Sequence, residues 1–127
     1  MTKKLAFIAL LAIAAIACKK EEDSENPEIT IFTPTTNQEF ESADSVQLNF
    51  KVEDEDLHEV GFTIVEEGTT DTLYYKAASH THDSPYVLNK KYFISVDAHT
   101  DATLIVNAED HNGNKASKSV NFHIHPM

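Results

Sequence analysis

Histidine is the residue type in this sequence best suited to chemistry, at His58, His80, His82, His99, His111, His123 and His125. In Ser79-His80-Thr81-His82-Asp83 two imidazoles stand two residues apart. In an extended segment both leave the same face, with Cα atoms about 6.5–7 Å apart. Imidazoles so placed can turn toward one ion, and a further nitrogen or carboxylate from a neighbouring loop completes a tetrahedral zinc site. Neutral imidazole also serves copper and nickel, so the pair specifies a class of ion, zinc or copper, rather than one metal. The terminal Phe122-His123-Ile124-His125-Pro126-Met127 repeats the spacing and adds Met127 as a soft donor for copper. Against these readings, histidine and aspartate are ordinary turn residues, and the outward half of a strand requires only polar side chains.

Other chemistries are poorly supplied. The chain has three glycines, two of them in hairpin-turn contexts, and no Gly-x-Ser-x-Gly or cysteine–histidine arrangement, so a catalytic role is not expected. Glu53-Asp54-Glu55-Asp56 lacks the order of a calcium-binding loop and reads as a solvated acidic turn. Tyr74, Tyr75, Tyr86 and Tyr92 offer aromatic surface to a glycan or protein, although alternating tyrosines usually belong to the core or rim of a sheet.

The elements that position these residues are strands. Val46, Leu48, Phe50 and Val52 alternate with Gln47, Asn49 and Lys51, and Val60, Phe62 and Ile64 alternate with Gly61 and Thr63. Such period-two patterning marks half-buried antiparallel strands. Strands are expected at 28–33, 45–53, 57–66, 71–78, 87–96, 102–109 and 116–125, with glycine turns at Glu66-Glu67-Gly68 and across Asp110–Asn114. About seven short strands in a single domain, 28–127, make an all-β, antiparallel β-sandwich.

An up-and-down path sorts the histidines into two poles. The turns after 53, 78 and 109 share one pole, which receives His58, His80, His82 and His111 with Asp54, Asp56, Asp83 and Asp110. These four histidines form the leading candidate metal set, with His58 also placed by parity to cap the core beside Val60 and Phe62. His99, His123 and His125 fall at the opposite pole as a second candidate set. There Val120, Phe122 and Ile124 face inward and the two terminal histidines outward, with Pro126 ending the strand.

The N-terminus addresses the chain. Lys3-Lys4 precedes an apolar run from Leu5 to Ala17, too short to span a bilayer and suited to the core of a signal peptide over 1–17. Cys18, the only cysteine, follows directly. Residues 18–27, rich in lysine and acidic side chains, form a tether with nothing apolar to bury before Pro27. Without the first seventeen residues the chain carries 8 lysines, no arginine and 21 acidic residues, a net charge of −13. Nucleic acid requires the opposite surface, whereas divalent cations are natural electrostatic partners.

The residues Ala15-Ile16-Ala17-Cys18 resemble the lipobox of bacterial lipoproteins, which implies lipidation of Cys18 and a membrane anchor. The stretch from Asn107 to Ile124 resembles the last two strands of bacterial immunoglobulin-like domains, and Pro27 to Pro34 resembles their first. Together with the segments around His58 and His80, the chain is similar to a family of uncharacterised, histidine-bearing, immunoglobulin-like lipoproteins of Bacteroidota. That resemblance implies the sandwich fold and the outer membrane, on its periplasmic or cell-surface face. The resulting expectation is an anchored lipoprotein whose loop histidines bind a transition-metal ion without catalysis. The alternative is an adhesion or accessory module for a protein or glycan, with the histidines incidental.

Overall fold

A computed structural model describes residues 25–127. The signal-peptide reading, Cys18 and residues 18–24 of the tether lie outside the described residues. Of the remaining tether, Glu25 and Asn26 are exposed but Pro27 is buried, so packing begins one residue before the first strand.

Eight strands follow: β1 (Glu28–Thr33), β2 (Gln38–Phe40), β3 (Val46–Glu53), β4 (Leu57–Glu66), β5 (Thr72–His80), β6 (Tyr86–Tyr92), β7 (Thr100–Asp110) and β8 (Lys115–Ile124). They form two sheets, β1-β3-β6 and β2-β8-β7-β4-β5. The fold is the expected immunoglobulin-like β-sandwich, with one strand more than seven. The additional strand, β2, is three residues long and pairs in parallel with the end of β8, so the sandwich is not wholly antiparallel. Only Phe40 of β2 is buried, which leaves no alternation to announce it.

Alternation elsewhere translates directly into the core. Val46, Leu48, Phe50 and Val52 of β3 are fully buried and face Val60, Phe62, Ile64, Leu104 and Val106 of the larger sheet. Phe50 meets Phe62 edge-on with ring centroids 5.9 Å apart, and Phe40 meets Phe122 in the same way at 5.6 Å. Burial of such side chains stabilises a fold by about 1.5–3 kcal/mol each, which lets packing hold a domain that contains no disulfide. Tyr74 and Tyr92 extend this aromatic layer, their rings 5.0 Å apart. Burial, then the neighbouring phenols of Tyr74 and Tyr86, push the Tyr92 phenol above the ordinary tyrosine value.

The pairing of β4 is irregular on both of its sides. Toward β7, Leu57 pairs with Asp110 and Glu59 with Glu109, so His58 is the extra residue of a β-bulge. Toward β5, Val60 pairs with Ser79 and Phe62 with Lys76, leaving Ala77 and Ala78 opposite Gly61. A Cβ at Gly61 would lie 2.8 Å from both the Cα and N of Ala78, so only glycine admits this close approach. The β5 strand runs two residues beyond its expected end, to His80, and β6 stops at Tyr92 rather than continuing to residue 96. After Tyr92 the chain leaves the sheet, tied by the Ile94 N–H donating to the carbonyl of Ala43 at 2.7 Å.

Candidate metal centres

The turn between β7 and β8 is built by Asp110, which is almost completely buried. Its Oδ1 accepts from the N–H groups of Asn112 and Asn114, each at 2.9 Å, and its Oδ2 accepts from Asn114 Nδ2 at 2.8 Å. Gly113 supplies the positive φ of 83° that the turn requires. Asp110 is thus a structural acceptor for the turn, not a carboxylate displayed at the pole. The same turn presents His111, whose N–H donates to the Asp56 carbonyl at 2.9 Å.

The β-bulge decides the direction of His58. Leu57 enters the core while His58 and Glu59 both leave it, and Val60 resumes the inward parity. His58 therefore does not cap the core; the bulge breaks the parity on which that expectation rested. Its ring lies between two others, meeting that of His80 edge-on with centroids 4.4 Å apart and that of His111 at a tilt at 4.3 Å. His80, at the end of β5, pairs across the ladder with Glu59. The Nδ1 atoms of His58 and His80 are 3.4 Å apart, and Glu59 Oε1 lies 3.7 Å from the Nε2 of each. His58, Glu59 and His80 each bring one donor atom to within 4.8 Å of the others.

The expected His80-x-His82 chelate does not form. The strand ends at His80, and the Thr81 N–H donates to the His58 carbonyl at 2.9 Å while Thr81 is buried. His82 instead lies parallel to His111, ring centroids 6.0 Å apart. The two-residue spacing holds only in an extended segment, and the extended segment stops between the two histidines. His82 and His111 flank the group rather than complete it, and Glu59, which no spacing rule singled out, replaces them. Its direct pairing opposite His80 depends on the register set by the bulges, which the sequence alone does not display.

At the other pole His99, His123 and His125 converge. Each brings one ring nitrogen to within 4.8 Å of the others. His123 stands on β8 directly opposite Asp101 on β7, and its Nδ1 lies 2.8 Å from Asp101 Oδ1. In a neutral ring that contact puts the proton on Nδ1, donated to the carboxylate, and leaves the lone pair on Nε2. His123 Nε2 in turn lies 3.4 Å from His99 Nδ1. The ring of His125 meets those of His99 and His123 edge-on at 4.6 and 4.9 Å. His125 Nε2 is buried without a hydrogen-bond partner, with Glu39 Oε1 3.6 Å away. Backbone pairing holds the group in place, since the His125 N–H donates to the Phe40 carbonyl at 2.9 Å.

The closest nitrogen separations allow a shared metal ion. Two nitrogens bound to one zinc at 2.0–2.1 Å in tetrahedral geometry are about 3.3–3.4 Å apart. Both poles contain one nitrogen pair at 3.4 Å, and at the terminal pole Asp101 sits at the far nitrogen of His123, the outer arrangement that orients metal-binding imidazoles. The terminal pole is the better formed. Its donors are three histidines, one of them held by a carboxylate at 2.8 Å, whereas the other group has two histidines and a carboxylate no closer than 3.7 Å; in burial the groups are alike, each with one exposed member, His99 and His80. The order of the two candidate sets expected from sequence is therefore reversed by the geometry. Met127 is not part of the group: it is exposed and lines a groove with Phe93, Val96 and Asp97.

No protein-family model matches the chain, and no curated protein does. Solved structures do resemble it. The structure of CopC from Methylosinus trichosporium OB3b aligns with a TM-score of 0.51 at 12% identity, over 79% of this chain and 96% of that one. An engineered protein solved as a structural genomics target also gives 0.51 and 12%, over 80% of this chain, which spans only 20% of that protein's length. Murine CRIg aligns at a TM-score of 0.48 and 9% identity over 81% of this chain and 99% of its own. At such identity the likeness is one of architecture, and the chain is an immunoglobulin-like β-sandwich of the kind that CopC also adopts.

Proposed function

We propose that this chain is a non-catalytic, outer-membrane-anchored lipoprotein that binds a transition-metal ion, zinc or copper, through histidines gathered at the poles of its sandwich. The observation that carries the metal reading is the convergence of His99, His123 and His125, with Asp101 orienting His123. Three neutral imidazoles supply nitrogen donors of the type both metals favour. His58, Glu59 and His80 make a second site of mixed nitrogen and oxygen donors. The strongly acidic, arginine-free surface raises the local concentration of divalent cations around both.

The anchor rests on Cys18 behind its apolar run and on the charged residues that follow. Fatty-acid labelling that persists in a Cys18→Ala variant would remove that part of the reading. For the metal, calorimetric titration of the purified protein with Zn²⁺ and Cu²⁺ is the direct test. The expected result is saturable binding that a His99→Ala/His123→Ala/His125→Ala variant loses at one site. Equal binding by that variant and the unaltered protein refutes a metal at the terminal pole. An adhesion role predicts a contiguous apolar surface instead. Among the described residues the exposed large apolar side chains Phe32, Val87 and Tyr75 stand on three separate strands of two sheets, and only Phe93 and Met127 share a groove.

A further inference from the structure

The terminal histidine group contains three donors, and a tetrahedral ion has four places. At this pole, among the described residues, the donor atoms that lie within 4.8 Å of one another belong to His99, His123 and His125 alone. The two nearest carboxylates are otherwise placed. Asp101 is held at Nδ1 of His123, on the side of the ring away from the nitrogen that faces His99. Glu39 approaches only His125, at 3.6 Å from Nε2, and is not a member of the converging group.

Building on the metal reading, we infer that an ion held by these three histidines keeps a fourth coordination position for a monodentate donor from outside the chain, an imidazole, thiolate or small anion. Structural zinc sites close their sphere with four protein ligands, whereas sites that exchange or act keep one position open. The rigid part of the group supports this division. His123 is fixed by its strand and by Asp101, and His125 by its backbone bond to Phe40, so these two form a wall on the sheet. His99 lies in the loop before β7 and is exposed, so the sphere opens on the solvent side of that loop. The buried Nε2 of His125, which has no hydrogen-bond partner, supports the metal reading on which this inference rests, since a buried polar atom left unsatisfied is costly and a metal–nitrogen bond would satisfy it. A site of this kind suits presentation or handover of an ion, because the incoming donor can bind before the outgoing ligands release.

Cobalt substitution tests the inference. In a His58→Ala/His80→Ala background, which leaves the terminal pole as the only three-donor group among the described residues, Co²⁺ is added and its visible absorption recorded. Azide, imidazole and a small thiol are then titrated separately. The expected result is a saturable, one-to-one change in the cobalt spectrum with at least one probe, absent when His99 is also replaced by alanine. Cobalt that binds with a spectrum indifferent to all three probes overturns the open position while leaving the metal site standing. If Glu39→Gln then makes that spectrum responsive, the fourth ligand is Glu39 and the inference is equally overturned. Failure of cobalt, zinc and copper to bind in this background overturns the metal reading of the terminal pole itself.

Discussion

Replacing Asp101 by asparagine separates a metal-orienting carboxylate from an ordinary surface contact. Asp101 is 71% exposed and touches the site only through His123 Nδ1 at 2.8 Å. Without metal, loss of such an exposed pair costs about 0–1 kcal/mol, so the melting temperature of the metal-free protein falls by about 0–8 °C. With metal the expectation differs. Removing the carboxylate behind a ligating histidine weakens binding by about 10–100-fold. At a free Zn²⁺ concentration of about one hundred times the dissociation constant, binding stabilises the unaltered site by about 2.7 kcal/mol. The same concentration stabilises the Asp101→Asn site by only about 0.4–1.4 kcal/mol. For a domain of this size the zinc-induced rise in melting temperature falls from roughly 10–20 °C to roughly 2–11 °C. Differential scanning fluorimetry in the His58→Ala/His80→Ala background, across a zinc series, reads both quantities. An Asp101→Asn protein with the full zinc-induced rise would refute the claim that this carboxylate orients His123 for a metal.

Metal stoichiometry measured without a polyhistidine tag should fall from two ions to one in His58→Ala/His80→Ala, and to one in His99→Ala/His123→Ala/His125→Ala. Ligand nitrogens must be unprotonated, so zinc-dependent stabilisation should diminish as the pH is lowered, which melting curves at graded pH will show. Gly61→Ala drives a Cβ to 2.8 Å from the β5 backbone at Ala78 and should destabilise the fold by about 1–3 kcal/mol in urea unfolding, taking the His58–His80 site with it. Because the Tyr92 phenol is raised, the folded state favours its protonated form; the stability this provides is complete below the unfolded tyrosine value, about 10, and lost as the pH rises through the folded one. Alkaline unfolding profiles should therefore flatten in Tyr92→Phe, and an unchanged profile would assign the alkaline loss to other groups.

Much of the fold is legible in the sequence because burial on one face leaves a two-residue signature. Val46 to Val52 shows it without interruption, and the turn at Asp110–Asn114 carries the residue types its geometry needs. The sorting of histidines into poles follows from strand direction alone. The finer arrangement does not, because register and strand ends are set by tertiary contacts. Gln38–Phe40 has a single buried residue and joins β8 through its backbone. His82 departs from His80 because Thr81 turns inward to meet the carbonyl of His58. Glu59 acquires its place through a ladder whose irregularities lie on two neighbouring strands. The terminal group looks the weaker from sequence because residue types do not trace the loop holding His99, and that loop begins where β6 ends early.

The bulge at His58 bears on insertions and deletions in this chain. With His58 removed, Leu57, Glu59 and Val60 would meet Asp110, Glu109 and Ala108 in unbroken succession, alternating inward, outward and inward. The ladder between β4 and β7 is complete without this residue; His58 is a supernumerary position in the strand. A one-codon deletion would thus erase an imidazole, and with it the carbonyl that Thr81 meets, yet leave the ladder between β4 and β7 unbroken.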